Sequence, residues 1–288
     1  MIRIRISTML RAALASMQMQ ALAGVITLAA VMGASVPARA QSGASIADHV
    51  RRAPDGTVRL TFQARPDVCG SGNSIHVSDR NSGNSANSTA DVEWDADCGH
   101  GPVRLVLQVH DHTVTGIRTY VGGRWRATSA VTDLGDVSPQ DATSYLLTLA
   151  RDAPAAVGHK AIFPATLGAG VVVWPSLMGI ARASAVPTET RRDAVFWLGQ
   201  MAGQAVTSNL AQLTTEDTVD RAVRASAVFA LSQQPDHQGV PALIHVAETN
   251  RDPAIRKKAL FWLGQSNDPR AIALFETILS GPASPRTR

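Results

Sequence analysis

The chain has 288 residues, enough for two domains, and a formal net charge of +4 from 27 Lys+Arg against 23 Asp+Glu. Four of those arginines lie in the first 40 residues, which hold no acid, so the remainder sets 23 basic against 23 acidic side chains. A remainder without net basic charge predicts no nucleic-acid partner, because phosphate backbones are held by a basic field.

The N-terminus reads as a targeting segment. Arg3, Arg5 and Arg11 form a basic start, an apolar run follows from Ala21 to Gly33, and Ala38-Arg39-Ala40 supplies a small-x-small cleavage pattern before Gln41. That order predicts a signal peptide over residues 1–40 and an exported, periplasmic or secreted protein. The competing reading is an uncleaved anchor, for which the apolar run is short against a bilayer core of about 30 Å. No later run is apolar enough to span a membrane once the signal is removed.

Residues 41–137 read as a β-rich domain. Val58, Leu60 and Phe62 alternate with Arg59, Thr61 and Gln63. Val92, Trp94, Ala96 and Cys98 alternate with Asp91, Glu93, Asp95 and Asp97, and Val103, Leu105, Leu107 and Val109 share one face of a third run. A fourth runs from Val114 to Val121. Period two with one apolar face marks half-buried antiparallel strands, and Pro54-Asp55-Gly56 is a turn signal before the first. The Ser/Asn/Gly-rich stretch 70–90 lacks the apolar area to order itself, which predicts a mobile loop. The two cysteines, Cys69 and Cys98, predict a disulfide closing that loop in an exported chain. Two free thiols are the alternative, and a zinc site would need a second ligand pair.

Two features in this half have ligand-like spacing. His110-Asp111-His112 could share a metal ion if both rings leave an extended segment on the same side, with His76 and His100 joining only if loops fold back. A solvated hairpin tip accounts for them equally well. The four acids of residues 91–97 lie nearly 7 Å apart along one strand face, too far to share an ion unaided, and read as a solvated face. The sequence therefore predicts no metal and no cofactor.

From Ser138 the period becomes helical, with Ser138-Pro139 as N-cap and N1 proline. An internal repeat follows. Ala161, Ala194, Ala227 and Ala259 are spaced by 33, 33 and 32 residues, with Phe163, Phe196, Phe229 and Phe261 in the same register. Leu177, Leu210, Leu243 and Phe275 keep phase with them, as do Ile180, Leu213, Val246 and Ile278. Each unit reads as two short helices whose first carries a stripe such as Ala194, Trp197, Leu198. Gly199 and Gly264 suit left-handed C-caps, and Asp252-Pro253 and Asp268-Pro269 mark helix starts. The phenylalanine ladder and Trp197/Trp262 read as core between units. Arg191, Arg224 and Arg256 recur, with Asp220 and Asp252 four residues before two of them, which predicts capping and pairing within a helix.

The stretch IRKKALFWLGQSNDPRAIALFETIL, Ile255 to Leu279, resembles a HEAT repeat of the short bacterial type named after phycobilisome lyases. RRDAVFWLGQ at Arg191–Gln200 and VRASAVFALSQ at Val223–Gln233 are further copies. The first unit departs from the pattern, with Gly158 in the arginine place and Pro164 in the tryptophan place. The arrangement is similar to that of secreted bacterial HEAT-repeat proteins. The resemblance implies an α-helical HEAT-type solenoid in residues 138–288. With the β-rich half read from its alternation, the chain is expected to be α+β with two domains, a small antiparallel β domain followed by the solenoid.

No nucleophile elbow, phosphate loop, zinc-protease motif or dinucleotide fingerprint occurs. The function that follows is a non-enzymatic interaction module binding a protein or peptide on its repeat surface. Second helices would line that surface, with Gln212, His245 and Thr277 in phase and Arg182 and Glu248 one turn on. The alternatives are a ligand- or metal-sensing protein with the β domain as sensor, and a hydrolase with an unrecognised site.

Overall fold

The protein is described by a computed structural model covering residues 45–71, 74–77 and 98–280. The targeting segment, most of the stretch 70–90, the acidic run 91–97 and the C-terminal 281–288 lie outside the described residues. Gly43–Arg288 form one compact unit.

A short helix α1 (Ile46–Arg52) opens the unit and starts at a reciprocal cap, in which Ser45 and Asp48 each bond the other's backbone. Strands β1 (Gly56–Phe62), β4 (Val103–His110) and β5 (Thr113–Val121) form the antiparallel part of a four-stranded sheet. Alternation is the cause: Val58, Leu60, Leu105 and Leu107 are fully buried on one face while Arg59 and Arg104 stand on the other. The sheet is not purely antiparallel. A strand absent from the sequence reading, β6 (Val131–Asp136), pairs parallel with β1, giving the order β5-β4-β1-β6. Residues 122–130 carry the chain across, so β6 reaches the far side of β1 in the same direction.

The expectation of a wholly mobile 70–90 stretch also needs correction. Val68–Ser71 (β2) and Ser74–Val77 (β3) form an antiparallel hairpin, and Gly70 bridges Gly99. Ile75 packs against the core, which supplies apolar contact that composition alone did not promise. Cys69 and Cys98 are joined in a disulfide, with Cα atoms 5.4 Å apart.

Ser138 caps α2 (Pro139–Asp152) by accepting from the Asp141 N–H at 3.0 Å. Four helix pairs follow: α3 (Ala155–Ala165) with α4 (Trp174–Arg182), α5 (Thr188–Gly199) with α6 (Gln204–Leu213), α7 (Arg221–Ser232) with α8 (Val240–Thr249), and α9 (Pro253–Gln265) with α10 (Pro269–Ser280). The first helices pack in the row α3–α5–α7–α9, and α3 also packs on β5. Ala161, Ala194, Ala227 and Ala259 are all fully buried in that row, as their spacing requires. The departure at Gly158 has a steric reason. A β-carbon there would stand 3.1 Å from Thr190 Oγ1 and 3.2 Å from the Ala150 carbonyl, a tight fit that favours glycine over the arginine of the other units. One continuous core runs from the sheet through α2 and α3 into the array.

Candidate functional site

The repeat surface follows from which positions the helices bury. Leu177, Leu210 and Leu243 are fully buried, as are Ile180 and Leu213, and Val246 is 2% exposed. Their equivalents in the last unit differ. Phe275 is only half-buried and Ile278 is 54% exposed, and on the same helix Ile272 and Leu279 are 52% and 86% exposed. The inner units bury these positions against a following helix pair, and among the described residues nothing follows α10. Contiguous exposed apolar surface of this kind marks contact sites.

The aromatic ladder is core between units in part: Phe163, Trp197 and Trp262 pack against the core, while Phe196 and Phe261 do not. Phe163 stacks on Trp197 at 4.8 Å, Phe196 lies 5.3 Å from Trp197 and 6.4 Å from Phe229, and Phe229 lies 4.9 Å from Trp262. The row continues to Phe261, 5.0 Å from Trp262, yet Phe196 and Phe261 are 39% and 57% exposed. Phe196 is two residues from Ala194, hence about 200° around the helix and away from the buried stripe. Contacts between units are stacked or tilted, Phe163 on Trp197, Phe196 on Phe229 and Phe229 on Trp262, whereas the edge-to-face pairs Phe196–Trp197 and Phe261–Trp262 lie within one helix.

The recurring arginines clamp units rather than helices. Arg191 of α5 pairs with Asp220, the residue preceding α7, and Arg224 of α7 reaches Asp252 at the start of α9 at 3.5 Å. Arg221 joins the same carboxylate at 2.7 Å, and Asp252 also accepts from the Ala254 N–H at 3.0 Å. The predicted intrahelical pairing is therefore replaced by pairing to the next unit's helix start. The cause is rotation: Asp220 precedes the helix, so its side chain faces the preceding unit. Asp252 is held below the usual carboxylate range, chiefly by its bond from Arg221. Arg256 instead donates to the Asn250 carbonyl at 2.7 Å.

Of the proposed contact residues, Gln212 on α6, His245 and Glu248 on α8 and Thr277 on α10 are all exposed. Their helices are successive neighbours, α6 beside α8 and α8 beside α10. Arg182 differs: it is half-buried, bonds both Glu216 oxygens at 3.0 and 3.1 Å, and reaches Asn209 Oδ1 at 3.4 Å. Its charge is spent joining α4 to α6 and the loop after it.

His110 and His112 lie at the β4–β5 hairpin, and both act on the carboxyl of Asp55. Asp111 and His112 both have left-handed backbone, φ 48° and 59°, and form the two-residue hairpin turn between β4 and β5. His110 ends the strand before the turn, and its Nδ1 lies 2.6 Å from Asp55 Oδ2. His76 pairs opposite Cys69 in the β2–β3 hairpin, and His100 Nδ1 lies 3.2 Å from the Val68 carbonyl. Among the described residues no group of three His, Cys, Asp or Glu is placed to hold a metal ion, and no helix is long and apolar enough to cross a membrane.

Sequence reading missed a second feature. Arg59, Arg104 and Arg118, far apart in the chain, converge on the outer face of the sheet beside Trp125. Each sits at an outward position of its strand, a signal present in the sequence, but the strand order that gathers them was not.

No curated protein matches the chain. Residues 217–288, which take in α7 to α10, match the family of HEAT repeats, and the match supports reading the chain as a HEAT-repeat protein.

Proposed function

We propose that the protein is an exported, non-enzymatic scaffold whose HEAT-type solenoid binds a protein or peptide partner. The observation that carries the reading is Ile278, 54% exposed where its equivalents Ile180, Leu213 and Val246 are buried. A repeat unit completes its core only against a neighbour, and a partner docked on α10 would supply one. Exposed Gln212, His245, Glu248 and Thr277 would extend contact along the second helices. Export is supported by the N-terminal pattern and by the Cys69–Cys98 bond, of a kind that persists in oxidising compartments. The repeats resemble the short type named after phycobilisome lyases, and no catalytic role is carried over from that name.

The test uses the full chain purified from the producing cells. Its N-terminus should begin at or near Gln41. Partners captured by wild type should be lost on Ile278→Asp together with Leu279→Asp, while the melting temperature stays nearly constant because both positions are exposed. Equal capture by wild type and variant would overturn the placement, and self-association abolished by the same variant would make the occupant a second copy. A second reading, ligand binding by the β half, draws on one observation, the arginine-lined face of the sheet.

A further inference from the structure

The register of the sheet builds a cationic trough. Arg59 of β1 pairs with Val106 of β4, and Val106 pairs with Arg118 of β5, so the two arginines flank Val106 in one row. Strand spacing puts their stems about 10 Å apart. Arg104 stands two residues along β4 from Val106, about 7 Å away on the same face. Arg124 and Arg126 close the rim, and no carboxylate lines the trough among the described residues. Its volume is about 780 Å³.

The trough is preorganised. Arg104 donates from Nε to the Gly122 carbonyl at 2.9 Å and from Nη2 to the Gly123 carbonyl at 2.8 Å. Trp125 donates to Thr61 Oγ1 at 3.1 Å, and its ring carries the Arg59 and Arg104 guanidiniums at 5.0 and 5.3 Å. Asp133 neutralises Arg59 at 2.8 Å. Arg118, Arg124 and Arg126 have no acidic partner among the described residues, so three forks remain for a ligand. Little side-chain freedom is left to lose at Arg104, which lowers the entropic cost of binding there.

We propose that this trough binds an extended acidic segment of a partner protein, with carboxylates at alternate positions. An extended peptide presents side chains on one face about every 7 Å and so offers more than one carboxylate to the unpaired forks of Arg118, Arg124 and Arg126. Guanidinium forks match carboxylates in paired hydrogen bonds. A nucleic acid fits less well. The π face of Trp125 is already taken by two guanidiniums rather than free for a base, and residues 41–288 carry no net charge to supply a long-range field. The site is on the sheet, separate from the α10 surface proposed above, and stands or falls independently of it.

The test is fluorescence anisotropy of a labelled octapeptide alternating Glu and Val, titrated with the full chain, beside the same peptide with Gln for Glu and a single-stranded oligonucleotide. The Glu peptide should bind, weaken as salt rises, and lose about tenfold or more in affinity on Arg118→Gln with Arg124→Gln. Both side chains are exposed, so the fold should be kept, and an unchanged melting temperature checks it. Ile278→Asp should leave this binding intact. Equal binding of the Glu and Gln peptides, preferred binding of the oligonucleotide, or unchanged affinity in the double variant would each overturn the proposal. So would binding gained only when Asp91, Glu93, Asp95 and Asp97 are neutralised, which would assign the trough to the chain's own acidic run.

Discussion

Gly199, the last residue of α5, lies so close to Ala230 of α7 that a β-carbon on it would stand 2.9 Å from the Ala230 Cα and 3.0 Å from its carbonyl oxygen. The expected left-handed cap is absent, since Gly199 is not among the positive-φ glycines. The glycine is there for close approach of two first helices. Gly199→Ala should cost about 1–3 kcal/mol through forced separation of the helices. Gly264, also near a helix end, meets nothing nearer than Phe275 Cζ at 3.9 Å. Gly264→Ala should be neutral or stabilising by up to about 1 kcal/mol. Urea midpoints of the two variants decide it, and equal losses would show the contact to be unimportant.

Arg191 is 3% exposed, and its Nε and Nη1 find no partner among the described residues, whereas Asp220 is exposed. Removing the two partners should therefore have unequal effects. Asp220→Ala strands a buried guanidinium and should cost roughly 2–3 kcal/mol, less than for a fully buried pair because Asp220 meets water. Arg191→Met leaves an exposed carboxylate and fills the same volume, so it should change stability by under about 1 kcal/mol. Chemical denaturation of both variants provides the comparison, and a larger loss in Arg191→Met would contradict the argument.

Asp268 starts α10 by accepting from the Arg270 N–H at 2.9 Å, and also takes Arg270 Nε at 2.8 Å and Nη2 at 2.7 Å. The Arg270 side chain is the main reason its carboxyl is held down to about 2, with the Arg270 N–H and the nearby His237 also contributing. An unfolded aspartate titrates near 3.9, so the folded state favours the ionised form. The resulting stability is present above about pH 4 and is lost as pH falls through about 2. The melting-temperature gap between wild type and Asp268→Asn should thus close between pH 6 and pH 2. A gap constant over that range would mean the carboxylate's charge does not matter.

The Cys69–Cys98 bond spans 29 residues. Chain-entropy arithmetic for such a loop gives about 3–4 kcal/mol. Reduction, or Cys98→Ala, should lower the denaturation midpoint accordingly. Intact mass with and without reductant before alkylation checks the pairing: two alkylated thiols in unreduced protein would show the bond to be absent from the purified molecule.

Much of the helical half was legible because its signals are local. The cap at Ser138 and the buried row of Ala161, Ala194, Ala227 and Ala259 depend on residues a few positions apart, or on a period that every unit repeats. Strands β1, β4 and β5 were legible for the same reason, since alternation is a property of neighbours. Where a residue's partner lay elsewhere, local reading misassigned it. Arg224 sits four residues after Asp220 but bonds Asp252, and Phe196 shares a register with core positions but turns outward.

The amino-acid sequence by itself marked strands β1, β4 and β5 and the repeat helices, but not α1, β2, β3 or β6. It determined which side of each marked element is apolar, and that the helices form a repeating series resembling HEAT units. It also determined that Arg59, Arg104 and Arg118 point away from the apolar faces of their strands. Only the tertiary structure decided that these three meet. The sum of charges over residues 41–288 is zero wherever the charges stand, so composition cannot register a local concentration. Strand order and register, set by backbone hydrogen bonds between β1, β4 and β5, bring the three side chains onto one face with Trp125 beside them. The same holds on α10: Ile278 repeats the chemistry of Ile180, yet only the folded structure shows the one exposed and the other buried.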